Sequence, residues 1–190
     1  DYGTKLKEPT FSFAKDVLKH NPKWIGITQF STTSQAPSIL LIKAFKELGY
    51  KGKFVLGGPS CMLFHSETPI IKMVDHVIYG EAEESLIELL KGKTSGPGID
   101  TKNFKQLQNL DKYPFPDYTD LSLKEYSSNG SVLYMASSRG CVRNCTFCDI
   151  HAMAPKFKFR SGKLMAEEVV HQSLRHPTVN VMRWADSLFN

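Results

Sequence analysis

The sequence predicts an α/β fold, in which a doubly wound parallel sheet is followed by the first units of a (βα) barrel. Short apolar runs alternate along the chain with longer segments whose apolar residues recur at helical spacing. The connections between them are short, which favours parallel strands joined by helices. Proline, glycine and lysine interrupt the alternation over residues 93–130, after which it resumes. We therefore expect a first domain over 1–92, a connector over 93–130 and a second domain over 131–190.

The first domain contains three predicted strands and the helices that connect them. We expect helices over 12–20, 36–48, 67–73 and 81–90, and strands over 24–30, 53–56 and 76–79. Ser12 is the predicted cap of the first helix, and Gly49 follows the end of the second. The residues predicted to face inward from the three longer helices are Phe13, Val17, Leu18, Leu41, Ile42, Phe45, Leu48, Leu86, Ile87, Leu89 and Leu90.

The second domain begins with a predicted strand over 132–136 and continues with a helix over 163–175 and a strand over 179–184. Ser161 is the predicted cap of this helix. Asp186 follows the last strand, where the residues of a (βα) barrel site collect, although an aspartate there equally suits a turn. The chain starts without a methionine and stops just after a strand, so we expect it to be a piece of a longer protein.

The composition is that of a soluble globular protein, with 41% hydrophobic and 23% charged residues. No run of 18 apolar residues occurs, so we expect no membrane span. Three of the four cysteines are clustered, which points to a reducing cytoplasm. The net charge of +5 suits an anionic cofactor or substrate, and by itself it does not indicate a nucleic-acid partner.

The cysteine cluster follows the first strand of the second domain. Cys141, Cys145 and Cys148 are spaced C-x3-C-x2-C, so one short loop can present three thiolates to a single metal centre. A [4Fe–4S] cluster normally takes four cysteines, and the fourth cysteine of the chain, Cys61, lies 80 residues upstream. A cluster held by three cysteines keeps an open position on one iron, at which a small molecule can bind and be activated.

This motif resembles the signature of radical S-adenosylmethionine (SAM) enzymes, in which C-x3-C-x-aromatic-C directly follows a β-strand. By this resemblance Cys141, Cys145 and Cys148 bind a [4Fe–4S] cluster, and Phe147 packs near the adenine of SAM. Arg160 resembles an arginine that often follows the cluster loop, which implies a role near SAM. The resemblance also implies a partial (βα)6 barrel and reductive cleavage of SAM to a 5′-deoxyadenosyl radical. It further implies an electron donor such as flavodoxin or ferredoxin.

The first domain resembles the Rossmann-like cobalamin-binding domain of the B12-dependent radical SAM subgroup. The resemblance rests on loops after the three strands and on the segment Pro114-Phe115-Pro116-Asp117-Tyr118 between the modules. It implies cobalamin contacts from seven residues, which are Thr28, Ser31, Thr32, Gly57, Gly58, Gly80 and Glu81. Two departures stand out. Ala82 replaces a glycine usual in the family, and the Asp-x-His-x-x-Gly loop that ligates cobalt in mutase-type proteins is absent.

The predicted function is therefore methyl transfer to an unactivated centre of a small-molecule or peptide substrate by a cobalamin-dependent radical SAM enzyme. A first domain that binds no corrinoid would instead leave a radical SAM enzyme for cyclisation, rearrangement or methylthiolation. Three further alternatives remain for the cysteines: a Cys3His zinc site that includes His151, an electron-transfer cluster that includes Cys61, and a disulfide. In the zinc alternative the basic and aromatic segment from Lys156 to Arg160 would contact RNA.

Overall fold

The structure is a computed structural model that describes residues 8–104, 106–126 and 131–189. The chain divides into two compact units, Asp1–Gln106 and Leu107–Asn190. The dividing point lies inside the predicted connector over 93–130, so each half of that segment packs within its own unit. Residues 127–130, next to the predicted start of the second domain, lie outside the described part.

The first unit is built on a sheet of three parallel strands. These are β1 (Trp24–Thr28), β2 (Lys53–Gly57) and β3 (His76–Val77), in that order across the sheet. Ile25 lies opposite Phe54, and Leu56 lies opposite Val77. Because all three strands run in the same direction, the loops that follow them meet at one edge of the sheet.

Helices cover both faces of this sheet. They are α1 (Glu8–Leu18), α2 (Gln35–Glu47) and α3 (Ala82–Leu90). Phe54 and Leu56 pack with buried residues of α1 and α2, whereas Val55, which points to the other face, packs with Leu89 of α3. A buried apolar layer therefore lies on each side of the sheet, as the alternation of side chains along a strand requires.

Four details of the first unit differ from the prediction. Helix α1 begins at Glu8, so Ser12 lies inside the helix and does not cap it. Phe13 is 55% exposed, and the fully buried residue of that helix is Ala14. Ile87 and Leu90 are also exposed, because the buried line of α3 runs through Ser85 and Leu89, which are four residues apart. The predicted helix over 67–73 is only a 3-10 turn, Ile71–Met73.

The second unit contains two pairs of strands. Strand β4 (Ser131–Met135) is followed by β5 (Ser138–Arg139), β6 (Lys158–Phe159) and β7 (Val179–Trp184). Strands β4 and β7 are parallel, and β5 and β6 are antiparallel. The helices are α4 (Ile150–Met153) and α5 (Gly162–Arg175). Both units thus contain parallel strands with connecting helices, and the chain has an α/β fold.

The core of the second unit lies between β4 and α5. Leu133, Met135 and Met165 form its buried centre, with Tyr118 packed against them. The predicted cap is confirmed, because the hydroxyl of Ser161 accepts a hydrogen bond from the N–H of Leu164 at 3.3 Å. In the described part of the chain, none of the helices has the length and apolar character needed to cross a membrane. The remaining 3-10 turns are Thr32–Ser34, Pro59–Leu63, Leu110–Lys112 and Leu123–Tyr126.

Candidate cluster site and cofactor edge

The cysteine loop begins beyond the end of β4, and strands β5 and β6 close its base. Ser138 pairs with Phe159, and Arg139 pairs with Lys158. Gly140, the next residue, has a φ of +82°. A Cβ at this position would lie 2.6 Å from the carbonyl oxygen of Lys156, so the close approach of the two loop ends requires a glycine. The two ends of the loop therefore meet at Gly140 and Lys156, and the residues just before Gly140 form the entrance of the loop.

The three cysteines lie in the accessible part of this loop. Cys145 is exposed, Cys141 and Cys148 are half-buried, and none of them forms a disulfide. The sulfur of Cys141 accepts a hydrogen bond from the N–H of Arg143 at 3.3 Å. In the described residues, no three His, Cys, Asp or Glu side chains are grouped closely enough to hold a metal ion. The donor set itself, three free thiols in one accessible loop, fits an iron–sulfur cluster. The ligand role of the cysteines stays a prediction.

Two alternatives for the cysteines receive little support from the geometry. The Nε2 atom of His151 makes a hydrogen bond to the backbone carbonyl oxygen of Arg143, inside the same loop, so it is engaged by the backbone. Cys61, the proposed fourth ligand of an electron-transfer cluster, is fully buried in the apolar core of the first unit. Burial raises the pKa of its thiol to about 12, which keeps it neutral and unsuited to bind iron.

Asp186 anchors the segment that precedes the loop. One carboxylate oxygen accepts hydrogen bonds from the N–H of Ser138 at 2.5 Å and from its hydroxyl at 2.9 Å. The other accepts a hydrogen bond from the hydroxyl of Ser137 at 2.8 Å. The aspartate after β7 therefore fixes the entrance of the cysteine loop, which the sequence alone, with a turn and a barrel site as equal possibilities, did not decide.

The two residues predicted to contact SAM lie in contrasting surroundings. Phe147 is 91% exposed and is therefore open to a ligand. The side chain of Arg160 is only 10% exposed and forms an ion pair with Glu168, whose side chain is 2% exposed. Its guanidinium also lies over the ring of Phe115, 5.5 Å from the ring centre. The buried partner Glu168 was not predicted; its helical spacing from the apolar Met165 on the buried line of α5 is the signal that could have revealed it.

The predicted cobalamin residues lie at the carboxyl-terminal edge of the three-stranded sheet. Thr28 pairs with Gly57 at the ends of β1 and β2, and Ser31 and Thr32 follow β1. Gly80 and Glu81 lie between β3 and the start of α3. The sheet therefore brings these residues to one edge, where ligands of open α/β sheets bind.

The glycines at this edge differ in whether packing within the chain leaves room for a side chain. A Cβ on Gly58, whose φ is +101°, would lie 2.7 Å from the carbonyl oxygen of Gln29. A Cβ on Gly80 would collide with the ring of Phe104. Contacts within the chain thus explain both residues, where the sequence suggested space for a ligand. A Cβ on Gly57 would make only ordinary van der Waals contacts with Ile78, at 3.9 and 4.0 Å, so packing within the chain does not require a glycine there.

A buried glutamine organises the first of these loops. Gln29 is fully buried and donates from Nε2 to the hydroxyl of Ser38 at 2.6 Å. Its Oε1 accepts a hydrogen bond from the hydroxyl of Ser34 at 3.1 Å. Ser34 and Ser38 therefore serve the fold, whereas the hydroxyl of Ser31 shares a hydrogen bond of 2.7 Å with that of Thr33 in an exposed pair. A glutamine directly after a strand was the signal for this network.

No family model matches the chain. It is 30% identical over 161 residues to an uncharacterised methyltransferase of Pyrococcus horikoshii, covering 73% of this chain and 34% of that protein. It is 22% identical over 199 residues to an anaerobic magnesium-protoporphyrin IX monomethyl ester cyclase of Synechocystis, covering 90% of this chain and 40% of the cyclase. The chain thus spans well under half the length of these relatives.

Two similar solved structures are of TsrM, a radical SAM methyltransferase from Kitasatospora setae. One, with tryptophan and a SAM analogue bound, matches with a TM-score of 0.69 and 15% identity over 95% of this chain and 40% of TsrM. The other, with cobalamin and a [4Fe–4S] cluster bound, matches with a TM-score of 0.69 and 17% identity over 96% and 41%. These likenesses fit the resemblance to the B12-binding radical SAM family, and at such identities the likeness to TsrM establishes a shared fold.

Proposed function

We propose that the protein is a cobalamin-dependent radical SAM enzyme that transfers a methyl group to an unactivated centre of a small-molecule or peptide substrate. The observation that carries this proposal is the closed, accessible C-x3-C-x2-C loop beyond the end of β4, in a chain that fits the B12-binding radical SAM family. Cys141, Cys145 and Cys148 would hold a [4Fe–4S] cluster. When bound, this cluster supplies the electron that cleaves SAM reductively.

The chain's own residues prepare the second unit for this role. Gly140 lets the two ends of the loop approach, and Asp186 holds the entrance through Ser137 and Ser138. His151 contacts the backbone carbonyl between the first two cysteines. These contacts order the loop backbone before any cluster is bound, which lowers the entropy lost on binding. Phe147, exposed beside the third cysteine, would cover the adenine of SAM, and Arg160 is a second SAM residue.

The first unit would bind cobalamin at the carboxyl-terminal edge of a doubly wound sheet, and the second would begin a partial (βα)6 barrel. Thr28, Ser31 and Thr32 offer hydroxyls at this edge, with Glu81 after the third strand. Packing does not require a glycine at position 57, so its missing side chain would serve the ligand, whereas Gly58 and Gly80 shape the loops by their contacts with Gln29 and Phe104. The edge therefore fits a large ligand that lies against backbone and hydroxyl groups.

A second candidate is a radical SAM enzyme that binds no corrinoid. It is favoured by one observation, which is that packing within the chain already explains Gly58 and Gly80. Such an enzyme would carry out cyclisation, rearrangement or methylthiolation, and one relative of this chain is a cyclase. In both candidates an electron donor such as flavodoxin or ferredoxin would reduce the cluster.

The test is to purify the intact protein anaerobically from cells supplied with cobalamin and to measure iron, zinc, corrinoid and SAM cleavage. We expect a [4Fe–4S] complement, one corrinoid and formation of 5′-deoxyadenosine with a strong reductant. A Cys145→Ala variant should lose the iron and the cleavage while it retains the corrinoid. Iron and cleavage without corrinoid would support the second candidate. Zinc in place of iron would refute both.

A further inference from the structure

The second unit contains a cavity lined by Arg160 and Glu168. It lies between residues 110–116, the end of β4 and helix α5, and its volume is about 120 Å³. A buried water needs roughly 10–15 Å³ of such volume, so the cavity has room for several waters or for a small organic molecule. Leu110, Pro114, Pro116 and Ala136 give it apolar walls, and Arg160 and Glu168 lie at its polar end.

Arg160, which lines this cavity, has two donor atoms without a hydrogen-bond partner. Its Nη1 atom donates to Glu168, while its Nε and Nη2 atoms are buried and have no hydrogen-bond partner. The side chain is only 10% exposed, so bulk water does not satisfy these two donors. A guanidinium presents Nε–H and Nη2–H side by side in one plane, a geometry that matches the two oxygens of a carboxylate.

The hydrogen bonds of Arg160 agree with such a ligand. Glu168 takes only Nη1 of the guanidinium, so one further carboxylate could accept hydrogen bonds from both Nε and Nη2. The apolar walls suit the short hydrocarbon body of a carboxylic acid. We propose that this cavity is a carboxylate-binding site in which the Nε and Nη2 edge of Arg160 binds both oxygens.

Two molecules could supply the carboxylate. One is a separate small monocarboxylic acid, and the other is SAM, whose methionine end carries a carboxylate. The second source rests on the proposed function, whereas the site itself does not require the cluster. The two sources are separated by competition in iron-free protein, so that failure of the cluster chemistry leaves the binding measurement intact.

The experiment is a titration of the intact, iron-free protein with ¹³C-labelled acetate, followed by nuclear magnetic resonance. We expect saturable binding at one site. Arg160→Lys keeps the charge and loses the paired donors, and should weaken binding at least tenfold. Ala136→Leu fills the cavity without touching the ion pair and should do the same. Arg175→Lys, on the exposed part of the same helix, is the matched control and should bind acetate as the wild type does.

Displacement of acetate by excess SAM would support the site and identify SAM as the source of the carboxylate. Acetate that stays bound would support the site with a separate acid as its ligand. The proposal is overturned if the wild type shows no saturable binding, because the cavity then holds only water. It is equally overturned if both Arg160→Lys and Ala136→Leu, shown to be folded by circular dichroism, bind acetate as tightly as the wild type.

Discussion

The two adjacent glycines at the end of β2 should respond differently to substitution by alanine. Gly58 has a φ of +101° and a ψ of 167°, a region of backbone space that is almost restricted to glycine. Alanine there costs roughly 1–3 kcal/mol in backbone strain. Its Cβ would also lie 2.7 Å from the carbonyl oxygen and 2.9 Å from the amide nitrogen of Gln29, atoms that the sheet holds in place. We therefore expect Gly58→Ala to lower the free energy of unfolding of the first unit by about 3 kcal/mol.

Gly57→Ala is the matched control for stability. Gly57 does not have a positive φ, and the nearest atoms to an added Cβ are ordinary contacts at 3.9 and 4.0 Å. Its free energy of unfolding should stay within about 1 kcal/mol of the wild type. If cobalamin lies against this backbone, however, the added methyl group should reduce retention of the corrinoid. The two variants therefore separate a glycine required by the fold from one that faces the ligand.

The assay uses the two tryptophans of the chain, one in each unit. In a Trp184→Phe background, the fluorescence of Trp24 reports urea unfolding of the first unit alone, and absorbance measures the bound corrinoid. A Gly58→Ala variant as stable as the parent would refute the described path of the backbone at Gln29. A Gly57→Ala variant that keeps all of its corrinoid would place the ligand away from the end of β2.

Three further predictions concern single residues. At pH 8.5 iodoacetamide should label the three loop cysteines of the iron-free protein and leave Cys61 unlabelled, because its pKa of about 12 keeps the thiol protonated; labelling of Cys61 in folded protein, seen by mass spectrometry, would contradict its burial. Glu168→Ala should destabilise the second unit by about 3–5 kcal/mol, because it leaves the buried guanidinium of Arg160 unpaired; a thermal midpoint equal to that of the parent would contradict the ion pair. Asp186→Ala should speed amide hydrogen exchange at Ser138, whose N–H loses its partner, and unchanged exchange would argue against this anchor.

Much of the fold followed from local patterns. Helix α5, its cap at Ser161 and strand β7 were predicted, because each depends on a local periodicity and on one capping residue. The start of α1 was predicted wrongly. Ser12 is a residue type that often caps helices, but here it lies inside the helix, which extends back to Glu8. The prediction that Ile87 and Leu90 are buried was also wrong, since apolar content alone does not show which side of a helix packs against the sheet.

The candidate site was only partly predictable, because local patterns do not show contacts between distant residues. The cysteine motif is local and was visible in the sequence, whereas the contacts that fix its loop join distant residues. Ser138 and Asp186 are separated by 48 positions. The close approach of Gly58 to Gln29 depends on the pairing of two strands. Such contacts depend on which strand pairs with which, and no short-range pattern encodes that.

The most direct test of the central claim is electron paramagnetic resonance of the intact protein, reconstituted anaerobically, reduced, and measured with and without SAM. We predict a [4Fe–4S]⁺ signal whose shape changes when SAM is added, because SAM would bind the iron that the three cysteines leave open. His151→Ala should still give a signal that changes with SAM, since the ring bonds to a backbone carbonyl oxygen and is not a predicted ligand of the cluster. A cluster signal that ignores SAM, or a sample that contains zinc and no iron signal, would contradict the radical SAM assignment.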